Sequence, residues 1–146
     1  MVLRKHEELH SGVRDNMKKV WIAAWVLLGA IGVVYGLMMW LGWHFIIPWI
    51  DIPLHLAGGV WVGMMFVLLF GRLFSDEAWS SKRFRILIVV VSFAAFIGVL
   101  WELFEFGVTE IGGIYFQGNI ADTMGDFLMD MIGGLIGGLV AMFGRK

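Results

Sequence analysis

Four long apolar stretches, at residues 21–43, 54–74, 84–108 and 122–143, are separated by short segments, and the basic residues of the chain gather before the first stretch, around the junction of the second and third, and after the fourth. Crossing a hydrocarbon core of about 30 Å takes roughly 20 helical residues, and each stretch meets that length. The pattern predicts an all-α polytopic membrane protein with four transmembrane helices over those residues. Residues 1–19 are polar and predict a cytoplasmic amphipathic arm, leaving 20–146 as one four-helix transmembrane domain. No small-residue cleavage pattern accompanies the first apolar stretch, so it is expected to be a retained helix and the mature chain to include Met1.

Composition strengthens this picture. With 60% hydrophobic and only 16% charged residues, a chain of this size has lipid as its main solvent. The absence of cysteine excludes disulfides and thiolate metal sites. The distribution of charge says more than its sum. Arg4, Lys5, Arg14, Lys18 and Lys19 precede the first stretch, Arg72, Lys82, Arg83 and Arg85 bracket the loop between the second and third, and Arg145 and Lys146 end the chain. With four crossings, all of these fall on one side, which the positive-inside rule makes the cytoplasm. Both termini are then expected inside (N-in/C-in). Segments 44–53 and 109–121, which lack lysine and arginine but hold Asp51 and Glu110, are expected outside. Trp21, Trp40, Trp43, Trp49, Trp79 and Trp101 fall near the ends of the spans, where indoles serve as interface anchors.

Acids within apolar stretches are costly and usually functional. Asp51 and His55 are four apart at the start of the second helix, and Glu102 and Glu105 three apart near the end of the third, so each pair shares a helix face. Asp122, Asp126 and Asp130 continue at the same four-residue spacing into the fourth helix, Asp130 lying about 12 Å deeper than Asp122. The alternating direction of the helices brings all seven groups to the outer third of the membrane. Capping is a competing role for Asp51 and Asp122, but not for Asp126 and Asp130, which lie inside an apolar helix. No fixed protein cation is available on that side, so metal is the simplest compensation. The expected ligands are Asp51, His55, Glu102, Glu105, Asp122 and Asp126. Carboxylates with one imidazole favour Mg²⁺ or Mn²⁺, then Zn²⁺ or Fe²⁺. Glu105 and Asp130 are the candidate catalytic bases.

Two further motifs compete for attention. His6, Glu7, Glu8 and His10 spell H-E-x-x-H, a zinc-protease pattern, but no third acidic or histidine ligand appears between Asp15 and His44, and an ordinary surface helix accounts for it. Gly133, Gly134, Gly137 and Gly138 form small-xxx-small pairs suited to close helix packing, with a homodimer face as the sharper alternative.

The series Asp51-x3-His55-x2-Gly58-Gly59, Trp101-Glu102-x2-Glu105 and Asp122-Thr123-x2-Asp126-x3-Asp130-x2-Gly133 resembles the YjdF-like branch of the VanZ-like membrane protein superfamily, over about residues 50–138. The resemblance implies a small bacterial inner-membrane protein connected with envelope chemistry. The function expected first is a metal-dependent hydrolase acting on an amphiphilic or lipid-linked envelope substrate. A proton or divalent-cation transporter comes second and a noncatalytic assembly subunit third. Besides the bilayer, neither nucleic acid nor a soluble cofactor is an expected partner, since there is no glycine-rich phosphate loop or exposed basic face.

Overall fold

A computed structural model describes residues 2–47, 49–74, 79, 81–113 and 118–145, with the side chains of 2–10, 44 and 45 outside that description. The elements are α1 (Val2–Leu41), the short α2 (Trp43–Ile46), α3 (Asp51–Phe70) continued by a 3-10 turn (Gly71–Leu73), α4 (Arg83–Gly112) and α5 (Ile120–Gly144). Four helical segments, Ser11–Leu41, Asp51–Leu73, Arg83–Gly112 and Ile120–Gly144, are long and apolar enough to cross a membrane. The all-α, four-span reading therefore holds, with longer helices than the apolar runs alone suggested. The polar lead-in and the first span form one helix of 40 residues. At about 60 Å it is twice the thickness of the hydrocarbon core. The H-E-x-x-H backbone lies in this helix, and its side chains fall outside the described residues.

Local chemistry explains where the helices stop and start. Gly42 (φ 66°) follows α1 and Gly113 (φ 67°) follows α4, both in the left-handed conformation that ends helices at low cost for glycine. Pro53 sits in the first turn of α3, where a missing N–H costs nothing. At the start of α5, the Asn119 side chain accepts from the backbone N–H groups of Ala121 at 2.8 Å and Asp122 at 3.3 Å. Asn119 is thus the cap of this helix, and Asp122 lies in its first turn. Asp51 is likewise the first residue of α3, and no side chain caps that helix.

The pair at the centre of the fold is α3 with α5. Their backbones interlock through glycine. A Cβ on Gly59 would run into the Asp130 backbone, one on Gly63 into Gly134, one on Gly133 into Leu56 and Val60, and one on Gly137 into Val60 and Met64. On the other flank of α5, Gly134 accommodates Ala94 and Gly138 accommodates Val90, both from α4. Gly133, Gly134, Gly137 and Gly138 are all buried in this way within the chain. A dimer through the same face would first require α3 and α4 to move aside. By contrast α1 is peripheral. Val20, Ala24 and Met38 are buried on it, while Ile22, Trp25, Val26, Val33 and Trp40 are well exposed, as lipid-facing residues should be.

At the end of the bundle away from Asp51, Trp79 is buried rather than anchored in lipid. Its indole N–H donates to the Gly71 carbonyl at 3.0 Å, and the Arg145 guanidinium lies 4.7 Å from its ring centroid. Trp40 and Trp49, 81% and 66% exposed, are free to anchor at the membrane surface. Gly144 approaches Met17 and Val20 at the same end as Trp79, which gathers there the start of the α1 span, the end of α3 and the end of α5.

Candidate metal centre

The opposite end of the bundle brings together acids from three helices. Because Gly59 lets the α5 backbone touch α3 at Asp130, the side chain of His55, one turn earlier on α3, lies beside that carboxylate. His55 Nδ1 is 3.3 Å from Asp130 Oδ2. Its other nitrogen, Nε2, faces Asp51 Oδ2 at 3.7 Å and Glu102 Oε1 at 4.0 Å. One ligand atom each from Asp51, His55 and Asp126 lies within 4.8 Å of the others, and this group could hold a metal ion.

Burial makes the arrangement consequential. His55, Glu102, Glu105, Asp126 and Asp130 are all buried, with Asp126 only 2% exposed. Yet His55 Nε2, Glu102 Oε1 and Asp126 Oδ1 have no hydrogen-bonding partner. Unpaired buried polar atoms cost about 1–3 kcal/mol each, and more when charged. Here His55 Nε2 and Glu102 Oε1 face each other at 4.0 Å, and Asp126 belongs to the same candidate metal group as His55. Their neighbours are engaged so as to leave these atoms free: Thr123 Oγ1 donates to Glu102 Oε2 at 2.9 Å, turning Oε1 toward His55. In a neutral imidazole with Nδ1–H donating to Asp130, the Nε2 lone pair faces the cluster, the tautomer a metal-bound imidazole needs.

The predicted set is thus sorted. Asp51, His55 and Asp126 form the group that could hold a metal, with Glu102 close by. Asp130 stands on the far side of the imidazole. Glu105 is buried one turn outward from Glu102, and its Oε1 accepts from the Trp101 indole at 2.8 Å. Asp122 is half-buried in the first turn of α5 and lies outside the three-residue group. Neither Asp51 nor Asp122 serves as a side-chain cap, so that competing role falls away for both.

Sequence reasoning placed Thr123 and Trp101 in the polar motifs but missed their supporting roles. Thr123 fixes Glu102, and Trp101, read as an anchor, donates to Glu105. Gly98 leaves room for Asp130, since a Cβ there would overlap its carboxylate. The signal for Gly98 was available: it lies four residues before Glu102, on the acidic face of α4.

Membrane-crossing helices around a buried carboxylate–imidazole cluster define a small multi-pass membrane protein with an intramembrane polar site. The chain belongs to the family described as "Predicted membrane protein (DUF2238)", whose model matches residues 13–146. Neither a curated protein nor a solved structure matches it.

Proposed function

We propose that this protein binds a divalent metal at the outer end of the bundle and acts there as a hydrolase on an amphiphilic or lipid-linked envelope substrate. The observation that carries the metal reading is that Asp51, His55 and Asp126 each offer a ligand atom within 4.8 Å of the others, while His55 Nε2 and Asp126 Oδ1 are buried and unpaired. Desolvated acceptors without donors are what a cation would satisfy, and the donor set of carboxylates with one imidazole suits Mg²⁺ or Mn²⁺ first, then Zn²⁺ or Fe²⁺. Such an ion supplies Lewis-acid polarisation of an acyl or phosphoryl oxygen and lowers the pKa of bound water. In this reading Asp51, His55 and Asp126 are the inner ligands, and Glu102, Glu105 and Asp122 are available to complete the shell. Asp130 orients His55, and Glu105 is the better placed base. The transporter reading gains no support from Ser92, the polar residue of the inner half of α4, which is exposed on the surface of the bundle.

Metal analysis of protein purified in mild detergent tests the proposal. Wild type is expected to retain a divalent ion, or to take one up on titration with Mn²⁺, and Asp126→Asn to lose it. A folded wild-type protein that takes up none of Mg²⁺, Mn²⁺, Zn²⁺ or Fe²⁺ would refute it.

The motif order further supports a place beside YjdF-like and VanZ-like proteins in the bacterial inner membrane. Among the described residues the basic side chains belong to the helix ends opposite the acid cluster, which supports a cytoplasmic position for both termini and an external one for the cluster. Single cysteines at Gly12 and Gly118 discriminate. In intact cells an impermeant maleimide is expected to label Gly118→Cys and spare Gly12→Cys, and the reverse pattern would invert the topology.

A further inference from the structure

Beside the acid cluster lies a cavity of about 350 Å³ bounded by α1, α3, α4 and α5. Its polar end is formed by Asp51, His55 and Asp130, and the rest of its wall is largely apolar, including Leu28, Ile31, Leu54 and Ile97. At the outer level Tyr35 of α1 meets Trp101 of α4 edge to face, with ring centroids 5.9 Å apart.

We propose that this cavity holds one hydrocarbon chain of an anionic amphiphile, with its head at the Asp51–His55–Asp126 cluster. Three observations point to that occupant. The first is the lining, which is ionisable at one end and apolar beyond it, as the ends of an amphiphile require. The second is length. Along α3 the wall runs from Asp51 to Val62, a rise of about 16 Å, which is close to half of a hydrocarbon core of about 30 Å. The cavity thus extends for the depth of one leaflet, and a chain standing in it keeps the orientation it has in the bilayer. The third is capacity. An apolar cavity of about 150 Å³ takes one benzene, so this space takes a single chain on the order of a dozen carbons and excludes a second. Both chains of an ordinary phospholipid do not fit.

The position of the head rests on the metal reading, because the cluster attracts an anion only with a cation bound. The position of the chain does not. Two glycines allow the cavity to be filled without disturbing the fold. Gly32 on α1 and Gly58 on α3 both line it, and a Cβ at either meets nothing within 4 Å. Leucine at either position projects into the space the chain would occupy.

The test uses the full chain in nanodiscs of two-chain lipid, with a medium-chain monoalkyl phosphate carrying a diazirine at the chain terminus. Photolysis and peptide mapping are expected to place label on Leu28, Ile31, Val62 or Ile97, away from the head. Excess unlabelled monoalkyl phosphate should remove it, and so should Gly32→Leu and Gly58→Leu, each with wild-type melting temperature and metal content. Label spread equally over lipid-facing Ile22, Val26 and Leu103, or label in the cavity that both leucine variants retain, overturns the proposal. Metal bound without cavity label defeats this inference alone. Competable cavity label in a protein that binds no metal upholds the chain site and defeats the metal reading instead.

Discussion

Gly137→Val is expected to yield no folded protein. A Cβ at this position would lie 2.8 Å from the Val60 carbonyl carbon and 3.0 Å from the Met64 nitrogen, and closer still to the Val60 oxygen. These are backbone atoms of α3, so no side chain can rotate away, and relief requires the two helices to separate. Separation would also undo the Gly59–Asp130, Gly63–Gly134 and Gly133–Val60 approaches, which share the same axis. Overpacking a core ordinarily costs about 1–3 kcal/mol, and prising apart a backbone interface exceeds that range. Net stabilities of folded domains are about 5–15 kcal/mol, so a loss of this kind removes most of the margin. Gly29→Val is the control, because a Cβ on Gly29 meets nothing within 4 Å. Size-exclusion profiles and thermal unfolding in detergent distinguish the two. A Gly137→Val protein that elutes and melts like wild type would show that the glycine interlock does not hold α3 against α5.

Asp130→Asn is expected to leave the fold standing and weaken metal binding by about ten- to a hundredfold, the usual effect of removing the partner that orients a metal-bound imidazole. An ionised carboxylate can only accept, so in a neutral imidazole it favours the proton on His55 Nδ1, which leaves Nε2 bare for a metal. An amide offers both a donor and an acceptor, permitting the other tautomer, whose Nε2–H would point at Asp51 and Glu102. Mn²⁺ titration followed by electron paramagnetic resonance measures the affinity, with Asp126→Asn as the variant that binds none. For wild type, metal at a thousandfold excess over its Kd contributes about 4 kcal/mol of stability. Chelation should therefore lower the melting temperature by on the order of 10 °C. Equal Mn²⁺ affinity in wild type and Asp130→Asn would remove Asp130 from any role in aiming His55.

These expectations draw unequally on sequence and structure. The spans were legible because a run of about 20 apolar residues has one economical solution in lipid. The pairing of Asp51 with His55 and of Glu102 with Glu105 was legible for a similar reason: helical periodicity is local, and spacing alone places such residues on one face. Across helices the information is not local. That His55 meets Asp130 rather than Asp126 through Nδ1 depends on the register of α3 against α5, which the contact of Gly59 with the Asp130 backbone sets. Asp122 looked like a cap because it precedes an apolar run, but Asn119, three residues earlier, takes that role, and the helix starts sooner. Trp79 looked like a lipid anchor from its place between spans, yet Gly71 and Arg145 enclose it, and neither contact is visible in a hydropathy pattern.

The interlock of α3 with α5 also bears on how the chain is made. A helix bearing Asp122, Asp126 and Asp130 enters a bilayer poorly by itself, since an aspartate at the centre of an inserting helix costs about 2.5–3.5 kcal/mol. This helix is also the last of the four to leave the ribosome. By then α3 is already in place, presenting Gly59 and Gly63 as a groove with His55 at its outer end. The groove of α3 thus offers the fourth helix a docking surface that lipid alone does not.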